Sequence, residues 1–198
     1  MAFDAVFVGL GNPGARYAMT RHNVGFIALD VLAQELRSRF ETDSTAAKKY
    51  KAHLTELEWD GQRLLLMKPQ TFMNLSGESV RALYERQSDL KTKPLIVFQD
   101  EVDIPFGRVR VKLGGGDAGH NGLRSLRACL GHGDFYRIRM GVGKPPTGSS
   151  VQLADHVLMP FRRDEQDTLI SLVEGSLAVA STLLKEGLAK AQERAAKV

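Results

Sequence analysis

The sequence predicts an α/β protein: a single three-layer domain, residues 1–198, with a twisted mixed β-sheet flanked by helices. Three observations predict it. Short β-type runs alternate with longer stretches of helical periodicity, the pattern of a layered α/β domain. The run Leu95-Ile96-Val97-Phe98 is continuously apolar, as a central strand covered on both faces must be. Asp60-Gly61 joins two strand-like segments in a hairpin, which makes the sheet mixed rather than all parallel.

The elements follow in order. Residues 3–9 read as a buried first strand. Val24, Ile27, Val31, Leu32 and Leu36 recur at helical spacing between Val24 and Phe40. Ala52–Trp59 and Arg63–Met67 form the hairpin. Ser76 is placed to cap a helix over 78–87 that buries Val80, Leu83 and Tyr84. Val109, Val111 and Leu113 alternate with Arg108, Arg110 and Lys112, a strand with one basic face. A glycine-rich loop, Gly114–Gly122, opens into a helix near Leu123–Leu130, and Tyr136–Val142 alternates with Arg137 and Arg139 as a second basic strand. Residues 143–161 are expected to form a lid, a Gly/Pro/Ser/Thr-rich loop with a short helix. A C-terminal helix spans 163–188, and the tail beyond Lys190 is expected to fray.

Composition narrows the class. With 43% hydrophobic and 25% charged residues the chain is globular rather than disordered, and 198 residues can bury roughly 70% of the unfolded surface. The single cysteine, Cys129, leaves no intrachain disulfide framework and fits a reducing compartment. Met1-Ala2-Phe3-Asp4 leads into a strand rather than an export signal, and no apolar run reads as long enough to cross a bilayer, so a cytoplasmic protein is expected. Lys and Arg outnumber Asp and Glu by 27 to 23, so the placement of cations matters more than their excess.

Polar residues cluster where strands end. Val8-Gly9-Leu10-Gly11-Asn12-Pro13-Gly14 leads to Tyr17 and Thr20-Arg21-His22-Asn23, and Gln99-Asp100-Glu101-Val102-Asp103 follows Phe98, where turn chemistry is expected to break the strand. The carboxyl ends of strands are where α/β sheets bind ligands. A histidine that takes a proton and an aspartate that orients it suit general-base chemistry. Gly9–Gly14 matches G-x-G-x-x-G in form only: Pro13-Gly14 makes a turn, the helix starts near Asn23, and no acidic strand end follows at the required distance. The glycine loop lacks the Lys-Ser/Thr of a phosphate-binding P-loop, the histidines lack zinc spacing, and no serine sits in a nucleophile elbow. No metal is expected, and the nucleophile of a hydrolase built this way is water. The basic faces of the two strands, beside free backbone N–H groups of the glycine loop, suggest a phosphate cradle.

Taken together, Gly9–Gly14 with Tyr17 and Thr20–Gly25, Lys68-Pro69-Gln70-Thr71-Phe72-Met73-Asn74-Leu75-Ser76-Gly77, Asp100–Pro105, Gly114–Gly116 with Gly119–Leu123, and Phe135–Gly143 resemble the bacterial peptidyl-tRNA hydrolases over residues 4–185. The resemblance implies hydrolysis of the ester joining a peptide to tRNA. It makes His22 the general base, Asp100 its orienting partner and Asn12 the residue that selects N-blocked esters. It assigns Asn74 and Asn121 to the peptide backbone and attacking water, Phe72 and Tyr17 to the groove, and Lys112 and Arg139 to tRNA phosphate. The implied partner is the acceptor end of peptidyl-tRNA, with no cofactor, no membrane and no obligate protein partner, and the chain is expected to be monomeric. Two positions depart from the family's usual pattern: Gln99 stands where histidine usually precedes the aspartate, and Asp117-Ala118 stands where His-Gly is usual. Two other classes remain open at this point, an RNA-binding module without activity and a hydrolase of small esters or peptides with a merely solvated basic face.

Overall fold

The computed structural model describes residues 2–198. Six strands form one sheet: β1 (Ala5–Gly9), β2 (Ala52–Trp59), β3 (Gln62–Pro69), β4 (Leu95–Glu101), β5 (Val109–Leu113) and β6 (Tyr136–Gly141). Their spatial order is β2-β3-β1-β4-β6-β5. β1 runs parallel to β3 and β4, and β4 parallel to β6, while β2 and β5 are antiparallel edge strands. The mixed sheet therefore follows from the hairpin at one edge and from β5 at the other.

Alternation along β1 shows how the layers are made. Ala5 and Phe7 face a core shared with α1 (Val24–Glu35), α6 (Gln166–Glu186) and α7 (Leu188–Ala195). Val6 and Val8 face the opposite core, under α3 (Ser76–Arg86) and α4 (Asn121–Leu130). Period-two side-chain placement thus makes one strand serve both layers. The remaining helices are short: α2 (Thr45–Tyr50) and α5 (Leu153–Leu158).

Several sequence expectations change. β1 begins at Ala5 rather than residue 3. β4 does not break after Phe98; Gln99, Asp100 and Glu101 continue the strand and are buried, because Asp100 and Glu101 pair with Met140 and Gly141 of β6. α1 stops at Glu35, and Arg37 adopts φ 53, so the helix does not reach Phe40. α2 was not expected; the Ser44 hydroxyl caps it by accepting from Ala47 N–H at 3.0 Å. Ser76 is no cap but the first residue of α3, and its hydroxyl donates to Met73 O at 2.9 Å.

The C-terminus is corrected as well. Gly187, at φ 85, ends α6, and α7 follows as an ordered helix rather than a frayed tail. Ala191 and Ala195 of α7 are fully buried in the same core as Val109 and Val111 of β5. Residues 163–186 are also long and apolar enough, by length and composition, to cross a membrane, with mean hydropathy 1.4, contrary to the reading that no such run exists. Of that apolar window 44% is buried against the sheet, which is how the core helix of an α/β fold meets the same test.

Candidate active site

The central strands β1 and β4 are neighbours whose next parallel partners, β3 and β6, lie on opposite sides. That is a topological switch point, where the carboxyl ends of strands open a crevice. From β1 the chain passes through Leu10, whose N–H donates to Phe98 O at 3.0 Å, into Asn12. It then makes two single 3₁₀ turns, the second of which, Arg21–Asn23, carries His22 into the start of α1. Gly25 permits this approach: a Cβ there would lie 2.3 Å from Phe98 O and 2.7 Å from Leu10 N. Any larger residue would push α1, and His22 with it, away from β4.

His22 meets Asp100 at that junction. Its Nδ1 lies 2.9 Å from each carboxylate oxygen. A second histidine, His120, reaches the same carboxylate through Nε2 at 2.9 Å. The Nδ1 of His120 accepts from Gly122 N–H at 3.1 Å and Leu123 N–H at 3.4 Å, capping α4. With Nδ1 of His120 accepting, its proton sits on Nε2 and is donated to Asp100. Asp100, only 3% exposed, likewise takes the Nδ1 proton of His22. Nε2 of His22 is then left as a free base.

Burial pushes the His22 imidazole towards its neutral form, but the charge of Asp100 and its hydrogen bond outweigh burial and hold the pKa above 6.5. Burial acts on Asp100 in the opposite sense, raising its pKa, and is outweighed by His22 and His120, so the carboxylate stays well below its usual range. His22, Asp100 and His120 also place three ligand-type atoms within 4.8 Å, a spacing a metal could use. In this arrangement both imidazoles donate to the carboxylate.

A cavity of about 630 Å³ opens over this pair. Its lining includes Asn12, His22, Phe72, Asn74, Asp100 and Asn121, six of the nine residues expected at the site. Asn12 is fixed from three directions. Its Oδ1 accepts from Met73 N–H at 2.8 Å, its N–H donates to Asn23 Oδ1 at 2.9 Å, and its carbonyl accepts from Asn23 Nδ2 at 2.9 Å. The Asn12 amide is thereby set with Nδ2 as the end left for a ligand. Phe72 is 53% exposed and Asn74 sits in the 3₁₀ turn Met73–Leu75, both before α3. Asn121 opens α4, and its Oδ1 accepts from Arg124 at 3.2 Å.

Tyr17, Lys112 and Arg139 lie outside this lining. Tyr17 is half-buried, with the Arg16 guanidinium 4.5 Å over its ring. The basic strand faces are less uniform than the sequence suggests. Arg108 and Arg110 turn to the C-terminus, donating to Val198 O at 3.0 Å and Ala195 O at 3.1 Å. They therefore hold α7 over the edge strand rather than forming part of a phosphate face. Arg137 is only 1% exposed; it sits beneath the glycine loop and donates to Gly115 O and Gly116 O. Arg139 donates from Nε to Glu101 at 3.0 Å. Lys112 lies beside Gly115, and its pKa is lowered by burial and by Arg139 and Arg137. Lys112, Arg137 and Arg139 are thus crowded like charges, with Glu101 paired to Arg139 and Asp117 the larger carboxylate influence on Arg137.

Sequence reasoning assigned no role to His120, Asn23 or Glu101, though it grouped Asn23 with His22. The first two carried a signal: His120 immediately precedes a helix start in Gly119-His120-Asn121-Gly122, and Asn23 adjoins the proposed base. The partner of Glu101, Arg139, lies 38 residues away and left no local trace.

A doubly covered α/β sheet with a buried carboxylate hydrogen-bonded to a cavity-lining imidazole has the arrangement of a hydrolase site. Comparison with known proteins gives the family. The peptidyl-tRNA hydrolase family profile matches residues 6–198, and the chain belongs to that family. It is 46% identical over 185 residues to the peptidyl-tRNA hydrolase of Geotalea daltonii, covering 93% of this chain and 92% of that one. It is 48% identical over 183 residues to that of Geobacter metallireducens, covering 92% and 90%. The crystal structure of peptidyl-tRNA hydrolase from Acinetobacter baumannii superposes with a TM-score of 0.84 at 31% identity, over 98% of this chain and 96% of that one.

Proposed function

We propose that this chain hydrolyses the ester between a peptide, or an N-blocked amino acid, and tRNA, recycling tRNA from prematurely released peptidyl-tRNA. The observation that carries the reading is the free Nε2 of His22, held by Asp100 at the cavity that Asn12, Asn74 and Asn121 also line. Nε2 removes a proton from water as the water oxygen attacks the ester carbonyl carbon. The tetrahedral intermediate then collapses, and the imidazolium returns the proton to the departing ribose oxygen. Asp100 stabilises that imidazolium and keeps the imidazole in the useful tautomer.

Asn12 hydrogen-bonds the amide of a blocked substrate, where a free ammonium would have to shed its water. Asn74 and Asn121 hold the peptide backbone and the attacking water, and Phe72 flanks the ester. Tyr17 supports the groove's rim at the terminal nucleotide. Lys112 and Arg139 take tRNA phosphate, which relieves the repulsion among the crowded cations beneath the glycine loop. Residues 143–161 act as a lid in which the loop before α5 moves and α5 itself stays in place as a wall. The chain works in the cytoplasm as a monomer, without a cofactor; its one cysteine and the partly buried α6 support that setting.

The test is release of N-acetylated amino acid from blocked aminoacyl-tRNA, with unblocked aminoacyl-tRNA and His22→Ala as controls. Cleavage of the blocked ester alone, falling by about 10²–10⁴-fold in the variant, is expected. Near-wild-type turnover by His22→Ala would overturn the base assignment. Salt-sensitive tRNA binding without cleavage would leave an RNA-binding relative instead.

A further inference from the structure

The residue before the base is as thoroughly bonded as the base itself. Arg21 is 5% exposed, and its guanidinium forks in two directions. Nη1 donates to Pro160 O at 2.9 Å and Met159 O at 3.3 Å. Nη2 donates to both carboxylate oxygens of Glu165, at 2.7 and 2.9 Å. Its backbone joins in: Arg21 N–H donates to Met159 O at 3.2 Å, and Phe161 N–H donates to Met19 O at 2.9 Å. The Phe161 ring lies 5.2 Å under the guanidinium and stacks on Phe106 at 5.5 Å.

These contacts join two segments that meet in the cavity. Arg21 comes one residue before His22, and its carbonyl acceptors come one and two residues after Leu158, the last residue of α5. α5 supplies Leu153, Ala154, Val157 and Leu158 to the same lining as His22. Glu165 is tied at its far side to the start of the C-terminal helical segment, where its Oε2 accepts from Arg162 N–H at 2.7 Å. α5 has a second tether within the helix, His156 Nε2 to Gly143 O at 3.1 Å. With Nη2 on the carboxylate, Nη1 on the two carbonyls, and side chains only 6% and 12% exposed, the guanidinium is fixed in geometry, and a lysine ammonium could not reproduce that fork.

Building on the hydrolase reading, we propose that Arg21 and Glu165 are positioning residues that fix the general base and the apolar α5 wall of the substrate cavity as one rigid unit. Neither touches substrate. Arg21 sets where the His22 turn and the α5 wall stand relative to one another, and Glu165 sets Arg21. Loosening the pair displaces the base from the ester and the wall from the acyl group together, so both kcat and KM are affected.

The test measures kcat and KM on N-acetylated aminoacyl-tRNA for Arg21→Met, Arg21→Lys, Glu165→Gln and Arg21→Met/Glu165→Gln, well below each variant's melting temperature. Arg21→Met is expected to lower kcat/KM by about 10–100-fold, through both constants, because ångström-scale misplacement costs about that much. Glu165→Gln changes both in the same direction by less, Arg21→Lys recovers part of the loss, and the double variant is no worse than Arg21→Met. Glu165→Gln is isosteric and carries the test even where Arg21→Met does not fold. Wild-type kcat and KM in Glu165→Gln, or a double-variant loss equal to the product of the single losses, overturns the proposal. A wild-type protein without turnover would instead remove the hydrolase reading, and this inference with it.

Discussion

The two ends of the proposed substrate path are built on opposite principles. Around Asp100, the carboxylate and the Asn12 backbone are held by named partners: two imidazoles serve one carboxylate, and Asn23 holds Asn12 at its N–H and its carbonyl, while Gln99 Oε1 beside them is buried without a partner. Around the glycine loop, Lys112, Arg137 and Arg139 crowd together with only Arg139 paired to a carboxylate side chain, and Arg137 is buried with its Nε unbonded. The first arrangement suits chemistry, which needs fixed geometry before the substrate arrives. The second suits binding of an anion, and the phosphate proposed above would relieve the repulsion. Satisfied networks position a reaction, and unsatisfied charge attracts a substrate.

The sharpest way to break this contrast is Asp100→Asn. Removing the carboxylate takes away the interaction that holds the His22 pKa above 6.5 and leaves burial, which lowers it. The acid limb of the kcat/KM profile should therefore move to lower pH, while kcat falls by about 10²–10⁴-fold because tautomer and imidazolium support are lost. A limb that stays in place would mean that another group titrates.

A smaller effect is expected from His120→Ala, which removes one of two hydrogen bonds to Asp100 and the cap of α4. About tenfold in kcat is the scale of one hydrogen bond to a charged group. The tRNA dissociation constant should stay near wild type. A large change in tRNA affinity with kcat intact would move His120 from the chemical region to the binding one.

The mildest changes belong to Lys112→Ala and Arg139→Ala. Each should raise KM more than it lowers kcat, and reduce the log–log salt slope of tRNA binding by about 1. If either variant instead lowered kcat with KM unchanged, the division between satisfied and unsatisfied regions would fail at that residue.

The sequence by itself determined the layered architecture, because apolar periodicity and the Asp60-Gly61 turn report which faces must be buried and where strands reverse. It also singled out Asn12, His22 and Asp100, because polar residues clustered after buried strands have no packing rationale of their own, while Asn74 and Asn121 came as candidates with the family resemblance. Only the tertiary structure decided their partners. That Asp100 serves His120 as well as His22, that Arg139 answers to Glu101, and that Arg21 closes on Glu165 are contacts 20 to 144 residues apart. The same holds for the cations of β5 and β6, which alternation places on one face. Arg108 and Arg110 are drawn to the C-terminus and Arg137 beneath a loop, because a long side chain goes where a carbonyl awaits it. Local pattern fixes which side of a strand a residue leaves from; partners brought by the fold decide where its charge ends.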